Sequence, residues 1–171
     1  MKSALTKSEA DLINENLTKH QRLFKQIGKW ASFYRANPHR FAKDYLNLTL
    51  KLFQQLVLNM MFASDFFMAI MSRGCGKTFM VSIFCLIRCI LYPGTKIVIA
   101  SGNRGQASQV LEKIDKEIFP DAPLARAELK YYKNSLNQVE MVFKNGSYIK
   151  VVTANDGARS ARANILVNSF A

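Results

Sequence analysis

The residues best suited to chemistry in this chain form one short run, Arg73-Gly74-Cys75-Gly76-Lys77-Thr78. Its glycines allow the backbone to curl so that successive N–H groups point into one concavity, which is the geometry that holds a phosphate group. The apolar run Phe79–Leu91 follows and predicts a buried helix. Because the amino terminus of a helix is positive, it would face the same anion. The sequence therefore predicts a phosphate-binding loop.

The side chains of this loop have separate expected roles. Lys77 can bridge the outer phosphates of ATP, and Thr78 can join the coordination shell of Mg²⁺. The Arg73 guanidinium would lie close to the γ-phosphate, where it can stabilise transferred charge or sense the state of the nucleotide. We therefore predict Lys77 and Arg73 as catalytic residues, Thr78 as the metal contact, and ATP and Mg²⁺ as cofactors. The predicted phosphate-site residues are Ser72, Arg73, Gly74, Cys75, Gly76, Lys77 and Thr78.

The loop departs from the full signature G-x-x-x-x-G-K-[ST], because Met71 stands where the signature has its first glycine. The alternative interpretation is a helix that is capped by a glycine turn and carries an exposed lysine. The context favours the phosphate site, since the loop lies between two apolar runs, Phe66–Met71 and Phe79–Leu91.

The elements around the loop follow an alternating pattern. Phe66–Met71 is a continuous apolar run and predicts a strand buried on both faces. After the helix, Pro93-Gly94 predicts a stop, Lys96–Ser101 a second buried strand, and Gln106–Phe119 a helix with Val110, Leu111, Ile114 and Ile118 on its buried face. Strand, helix, strand and helix in this order predict an α/β fold with a parallel sheet and right-handed crossovers.

Further strands are predicted after these elements. Val139–Lys144 and Ser147–Thr153 flank Asn145-Gly146, which is a strong signal for a hairpin. The run Ile165–Val167 predicts another core strand.

The first sixty residues favour helices. A break is predicted at Asn37-Pro38, and a second helix is expected to begin near Pro38. Apolar residues recur at helical spacing on both sides of the break, and we expect these stripes to be core: Leu12, Leu23, Ile27, Trp30 and Phe33 before it, and Phe41, Tyr45 and Leu48 after it.

The composition is that of a globular protein, with 49% apolar and 21% charged residues in a chain of 171. The net charge of +12 favours a polyanionic partner such as nucleic acid, and the alternative is a solvated basic surface without a partner. Cys85 and Cys89 lie four apart in an apolar run and are expected to be small buried hydrophobes, which fits a reducing cytoplasm. The apolar runs are too short to span a bilayer, so we expect no membrane association.

The loop and four further stretches resemble the large subunit of tailed-phage terminases, the DNA-packaging ATPases. The resemblance rests on residues 30–41, 50–54, 71–78, 90–96 and 155–164. Terminases carry a variant Walker A loop that has an internal arginine and lacks the first glycine, so the resemblance accounts for Met71 and Arg73.

The resemblance implies a helical lid, residues 1–60, before a P-loop ATPase core of the RecA-like, additional-strand class, residues 61–171. It also implies that Phe53 stacks on adenine and that Gln54 pairs with the adenine edge. The implied function is ATP hydrolysis coupled to translocation of double-stranded DNA, with the portal and the small terminase subunit as partners and a homo-oligomer as a possible assembly. The implied location is the cytoplasm of an infected or lysogenic bacterial host.

The chain also departs from the terminase pattern. Terminases follow the last of these strands with an aspartate and a glutamate, the Walker B pair, but here Ile165–Val167 precedes Asn168-Ser169-Phe170-Ala171. We therefore expect a core truncated at its carboxyl end, without the nuclease domain, that binds ATP but does not hydrolyse it efficiently. Asp156 precedes the strand and is expected at the wrong edge of the sheet. The alternatives are a fragment of a helicase-like translocase and a non-enzymatic basic module that binds nucleic acid or the portal.

Overall fold

The structure, a computed structural model, describes residues 18–72, 74–102, 104–135, 138–153 and 163–169. The chain divides into two compact units, Met1–Ala36 and Asn37–Ala171. The helices are α1 (Lys19–Ala36), α2 (Pro38–Asp44), α3 (Leu52–Ala63), α4 (Lys77–Leu91), α5 (Arg104–Lys113, continued by a π-helical segment, Ile114–Ile118) and α6 (Pro123–Ala127). The strands are β1 (Lys96–Ser101), β2 (Leu129–Asn134), β3 (Val139–Phe143), β4 (Tyr148–Thr153) and β5 (Ile165–Ser169).

The strands form one sheet in the order β2-β3-β4-β1-β5. β1 is parallel to β4 and to β5, whereas β2, β3 and β4 are antiparallel neighbours. The predicted α/β class is confirmed, but the sheet is mixed and not wholly parallel. The reason is local, because the tight turn at Asn145-Gly146 can join only antiparallel strands, and Gly146 adopts the positive φ of 83° that this turn needs.

The helix that follows the candidate loop is the centre of the larger unit. Most of α4 from Met80 to Leu91 is buried, as its apolar sequence predicts, and the helix ends before Pro93-Gly94, where Gly94 has a φ of 74°. The hairpin turn is fastened to its end, since Asn145 donates a hydrogen bond of 2.7 Å to the carbonyl oxygen of Cys89. The helix, β1 and the hairpin therefore form one packed body.

The predicted face of α5 is confirmed, because Val110, Leu111, Ile114 and Ile118 are all buried. The helix widens to a π-helical turn at its end, where the N–H of Phe119 donates to the carbonyl oxygen of Ile114 at 2.9 Å.

The prediction of a buried strand at Phe66–Met71 is wrong. These residues are irregular, and Phe66, Met68 and Ile70 are 83%, 72% and 95% exposed. A buried strand needs neighbouring strands for its N–H and C=O groups. In the part of the chain that the structure describes, no strand lies beside this run, so its apolar composition alone does not make it part of the sheet.

The prediction that the stripe on α1 is core is also wrong. Leu23, Ile27, Trp30 and Phe33 are exposed, and α1 has no buried residue. In the described part of its unit, residues 18–36, this helix is the one regular element, so no other described element of the unit covers its apolar side. Leu12 lies outside the described residues.

The second helical stretch follows its prediction more closely. α1 ends at Ala36 and α2 begins at Pro38, which confirms the break. Phe41 is fully buried, whereas Tyr45 and Leu48 are half-buried.

β5 is a strand as predicted, but it lies at an edge of the described sheet, and Leu166 is 58% exposed. Neither α6 nor β2 was predicted from the sequence pattern. None of the helices in the described ranges is long and apolar enough to cross a membrane.

Candidate phosphate-binding site

The candidate loop is a glycine turn that leads directly into α4. Gly74 has a φ of 83° and Gly76 a φ of 77°, which is the left-handed region that favours glycine. A Cβ at either position would meet nothing within 4 Å, so the backbone conformation and not crowding requires glycine. Ser72 and Cys75 close the turn, with their Oγ and Sγ atoms 2.9 Å apart. Arg73 lies outside the described residues.

The amino terminus of α4 adjoins this turn and has no side-chain cap from Gly76. Gly76 is the residue that precedes the first helical turn, and its carbonyl oxygen accepts the N–H of Met80 at 2.9 Å. No side chain of the described residues caps this end. The first N–H groups of a helix have no partner within the helix, and the helix dipole makes this end positive. The end of α4 is therefore suited to an anion.

The topology places the loop at the carboxyl edge of the parallel strands. A connection of four residues, 92–95, joins the end of α4 to the start of β1, so α4 runs back against the direction of β1. The start of α4 then lies toward Ser101, where β1 ends beside the ends of β4 and β5. Ligands of open α/β sheets bind outside this edge.

The two reactive side chains of the loop are accessible. Lys77 is exposed and Thr78 is half-buried, so an ammonium group and a hydroxyl group stand on the first turn of α4. The structure therefore brings together, in one continuous turn, all of the predicted phosphate-site residues that it describes.

Phe53 and Gln54 lie on a different element, the first turn of α3. Phe53 is 46% exposed, so its side chain is accessible. The Gln54 Oε1 atom accepts the backbone N–H of Lys51 at 2.9 Å, so this amide caps α3. This capping role was not predicted from the sequence. At its other end α3 packs on α4, where the rings of Phe62 and Phe84 meet edge to face at 5.1 Å between centroids.

The residues at the end of β5, where terminases have the Walker B acids, are uncharged. Asn168 is exposed and pairs in register with Ala100. β4 ends at Thr153, in register with Ser101, on the same edge as the loop, and the expected placement of Asp156 stays a prediction. Asp156 itself lies outside the described residues.

The three cysteines have different environments. Cys85 and Cys89 are buried in α4, as predicted, and burial raises the pKa of the Cys85 thiol to about 12. Burial, with a smaller contribution from Cys85, also raises the pKa of Cys89. Cys75 is exposed in the loop. The buried thiols are therefore packing groups, and Cys75 is the accessible one.

These features define a mixed α/β protein with a candidate anion site where a glycine turn enters a buried helix. A family profile described as "Terminase large subunit, T4likevirus-type, N-terminal" matches residues 68–171, which is more than half of the chain. The chain therefore belongs to the terminase large subunit family. A comparison with curated proteins gave no match. The resemblance stated from the sequence is confirmed, and membership supports a component of a viral DNA-packaging motor.

Proposed function

We propose that this chain is the ATP-binding part of the packaging motor and that residues 72–78 hold the phosphates of ATP. The observation that carries the proposal is the pair of left-handed glycines, Gly74 and Gly76, that leads into the uncapped amino terminus of α4. The proposed P-loop NTPase core of the RecA-like, additional-strand class rests on the family. Backbone N–H groups and the helix dipole then stabilise the phosphate charge.

The side chains of the loop complete the proposed site. The exposed Lys77 neutralises the outer phosphates, and the hydroxyl of Thr78 binds Mg²⁺. The proposed role of Arg73, at the γ-phosphate, rests on the sequence alone.

The adenine contact is proposed at the start of α3. The accessible ring of Phe53 can stack on the base. Because the Gln54 oxygen is engaged with Lys51, its amide N–H groups remain as the donors that would reach an adenine nitrogen.

We propose that this chain binds ATP without efficient turnover by itself and that coupling of hydrolysis to DNA movement is a property of the assembled packaging motor. Phosphoryl transfer needs Mg²⁺ held on two sides and a water in line with the leaving oxygen. The neutral side chain of Asn168 does not replace an aspartate–glutamate pair.

Binding to DNA is supported by the charge of the chain and by one element in particular. α1 contains five basic residues and no acidic residue. They are Lys19, Arg22, Lys25, Lys29 and Arg35. Double-stranded DNA is therefore the proposed polyanionic partner, and this helix is also the observation that favours the second candidate function, a basic nucleic-acid or portal-binding module. The portal, the small terminase subunit, a homo-oligomer and the cytoplasm of the bacterial host remain parts of the proposal that rest on the family.

Calorimetric titration of the chain with ATP and ADP, with and without Mg²⁺, tests the proposal. We expect binding by the wild type and its loss in Lys77→Ala, while Thr78→Ala weakens only the Mg²⁺-dependent part. Lys96→Ala is a matched control, because Lys96 is an exposed lysine at the opposite edge of the sheet. Equal affinity in the wild type and in Lys77→Ala would contradict the proposed site.

A further inference from the structure

Arg88 lies at the far end of α4 from the phosphate loop, and its guanidinium contacts two aromatic rings. Its guanidinium carbon is 4.1 Å from the centroid of the Tyr92 ring and 5.6 Å from that of Phe62. Phe62 is itself packed against Phe84. Stacking on the faces of aromatic rings restricts a guanidinium but leaves the N–H donors at its edge unused.

The backbone around Arg88 is fixed as well. The carbonyl oxygen of Arg88 accepts the N–H of Tyr92 at 3.1 Å. The Tyr92 carbonyl oxygen in turn accepts the hydroxyl groups of Thr95, at 2.6 Å, and Ser147, at 3.1 Å. The backbone of Tyr92 and the end of α4 that carries Arg88 are therefore held in place without a ligand.

Arg88 lines a pocket of about 310 Å³, and none of the described residues that line this pocket is acidic. Arg88, Tyr92, Thr95 and Asn164 are among the residues that line it. Within the described ranges, no carboxylate forms an ion pair with Arg88. A guanidinium has five donors, so this half-buried one has N–H groups available for an anionic ligand.

Asn164 adds a second donor to this pocket. Its Oδ1 atom is 3.0 Å from the backbone nitrogen of Lys96. Because that N–H can only donate, the oxygen of the amide must face it, and the amide NH₂ group is directed away from Lys96. Arg88 and Asn164 both line the pocket and both carry side-chain N–H donors, which suits an anionic ligand.

The shape of the pocket favours a carboxylate over a DNA phosphate. Arg88 is half-buried beside the rings of Tyr92 and Phe62, which limits the approach of a rigid duplex more than that of a single side chain. The planar guanidinium can form two parallel hydrogen bonds with a carboxylate on a side chain that enters the pocket. The volume accommodates one inserted side chain.

We propose that this pocket is a docking site for an aspartate or glutamate side chain presented by a protein partner. The site is separate from the phosphate loop, since Arg88 follows Lys77 by eleven residues, or about 16 Å along the helix axis. The pocket lies at the amino edge of the sheet, beside the starts of β1 and β5. The interaction therefore does not depend on the proposed ATP binding.

The test is an NMR titration that follows the Arg88 Nε–H resonance. The probes are N-acetyl-glutamate methylamide, which has a free side-chain carboxylate, its glutamine analogue, dimethyl phosphate, and a 12-base-pair duplex. We expect saturable shifts of Arg88 with the glutamate probe and none with the glutamine analogue. Lys77→Ala should leave these shifts unchanged, which separates this site from the ATP site.

Variants make the assignment specific. In Arg88→Gln, followed through the backbone amides of Thr95 and Asn164, affinity for the glutamate probe should fall about tenfold or more, because a charge-assisted pair is lost. Arg88→Lys keeps the charge and the ring contact but not the planar fork, so it should also bind more weakly. Lys130→Gln removes one positive charge at an exposed site, and this variant should bind the glutamate probe with the affinity of the wild type.

Three outcomes would overturn the proposal. One is the absence of a shift with the glutamate probe, and another is an equal shift with the glutamine analogue. The third is a shift of Arg88 with dimethyl phosphate or the duplex but not with the glutamate probe, which would identify a nucleic-acid contact instead.

Discussion

The hydroxyl group of Ser82 lies 2.8 Å from the carbonyl oxygen of Thr78 and 3.0 Å from that of Val110. Ser82 is fully buried, so this one group connects the first turn of α4 with α5 inside the core. α5 in turn packs on β1 and β4. The turn that carries Lys77 and Thr78 is therefore fixed relative to the sheet, as a phosphate site requires.

Replacing Gly76 should damage both the fold and the site. Gly76→Ala places a Cβ on a residue with a φ of 77°, and the left-handed conformation costs a non-glycine residue about 1–2 kcal/mol. Thermal unfolding should show this loss, and calorimetry should show weaker binding of ATP.

Gly28→Ala is the matched control for that substitution. Gly28 lies inside α1, has no positive φ and has nothing within 4 Å of an added Cβ. Alanine favours the helix there by about 1 kcal/mol, so helical content should rise slightly and ATP affinity should not change. If Gly76→Ala matches the wild type in both measurements, the glycine turn is not needed.

The buried thiol of Cys85 should make the stability depend on alkaline pH. Its pKa rises from 9.0 to about 12 on folding, so the unfolded chain loses this proton first. The free energy of unfolding should therefore fall as the pH rises from about 9 to about 12, by at most ~1.4 kcal/mol per pH unit from this thiol. Denaturant titrations across this range measure the slope.

Cys85→Ala is the control for this pH dependence. It should be less stable at neutral pH, because it leaves a small cavity, but its stability should fall less steeply above pH 9. An unchanged slope would show that the thiol does not ionise on unfolding in this range.

Binding to duplex DNA should lack sequence preference and weaken steeply with salt, because it rests on phosphate contacts. Replacing Lys19, Lys25 and Lys29 of α1 with glutamine should reduce the slope of log K against log salt by up to about 0.9 for each phosphate that is no longer neutralised. Fluorescence anisotropy with two unrelated duplexes measures both effects.

The control carries the same change of charge on the other unit, as glutamine at the exposed Lys130, Lys133 and Lys144. If the two triple variants lose affinity equally, net charge and not α1 determines binding. Affinity that stays constant between low and moderate salt would rule out phosphate contacts.

The purified chain should release phosphate from ATP slowly or not at all. A catalytic base contributes on the order of 10²–10⁴-fold, and the exposed side chain at the end of β5 is the neutral Asn168. A steady-state phosphate-release assay, with Lys77→Ala as the blank, is the measurement. Robust turnover that Lys77→Ala abolishes would contradict this prediction, and its loss in Asp156→Asn would identify the acid responsible.

The part of the candidate site that consists of consecutive residues could be predicted from the sequence. Gly74 to Thr78 lie in one turn, and a glycine-rich turn before an apolar helix is determined by local conformational preference. The roles of Ser82, Arg88 and Asn164 could not be predicted, because their partners are distant in the chain. The capping of α3 by Gln54 was missed although Lys51 is only three residues away, because lysine is not a residue that signals a helix start.

The sequence by itself determined α4, β1, the hairpin at Asn145-Gly146 and membership of the terminase family, since each depends on residues that are near one another or on a motif. Only the tertiary structure decided which apolar runs are buried. Phe66–Met71 and the stripe on α1 are as apolar as the core, yet both are exposed. The physical reason is that burial requires a second surface and, for a strand, hydrogen-bonding neighbours, and neither is encoded in the run itself.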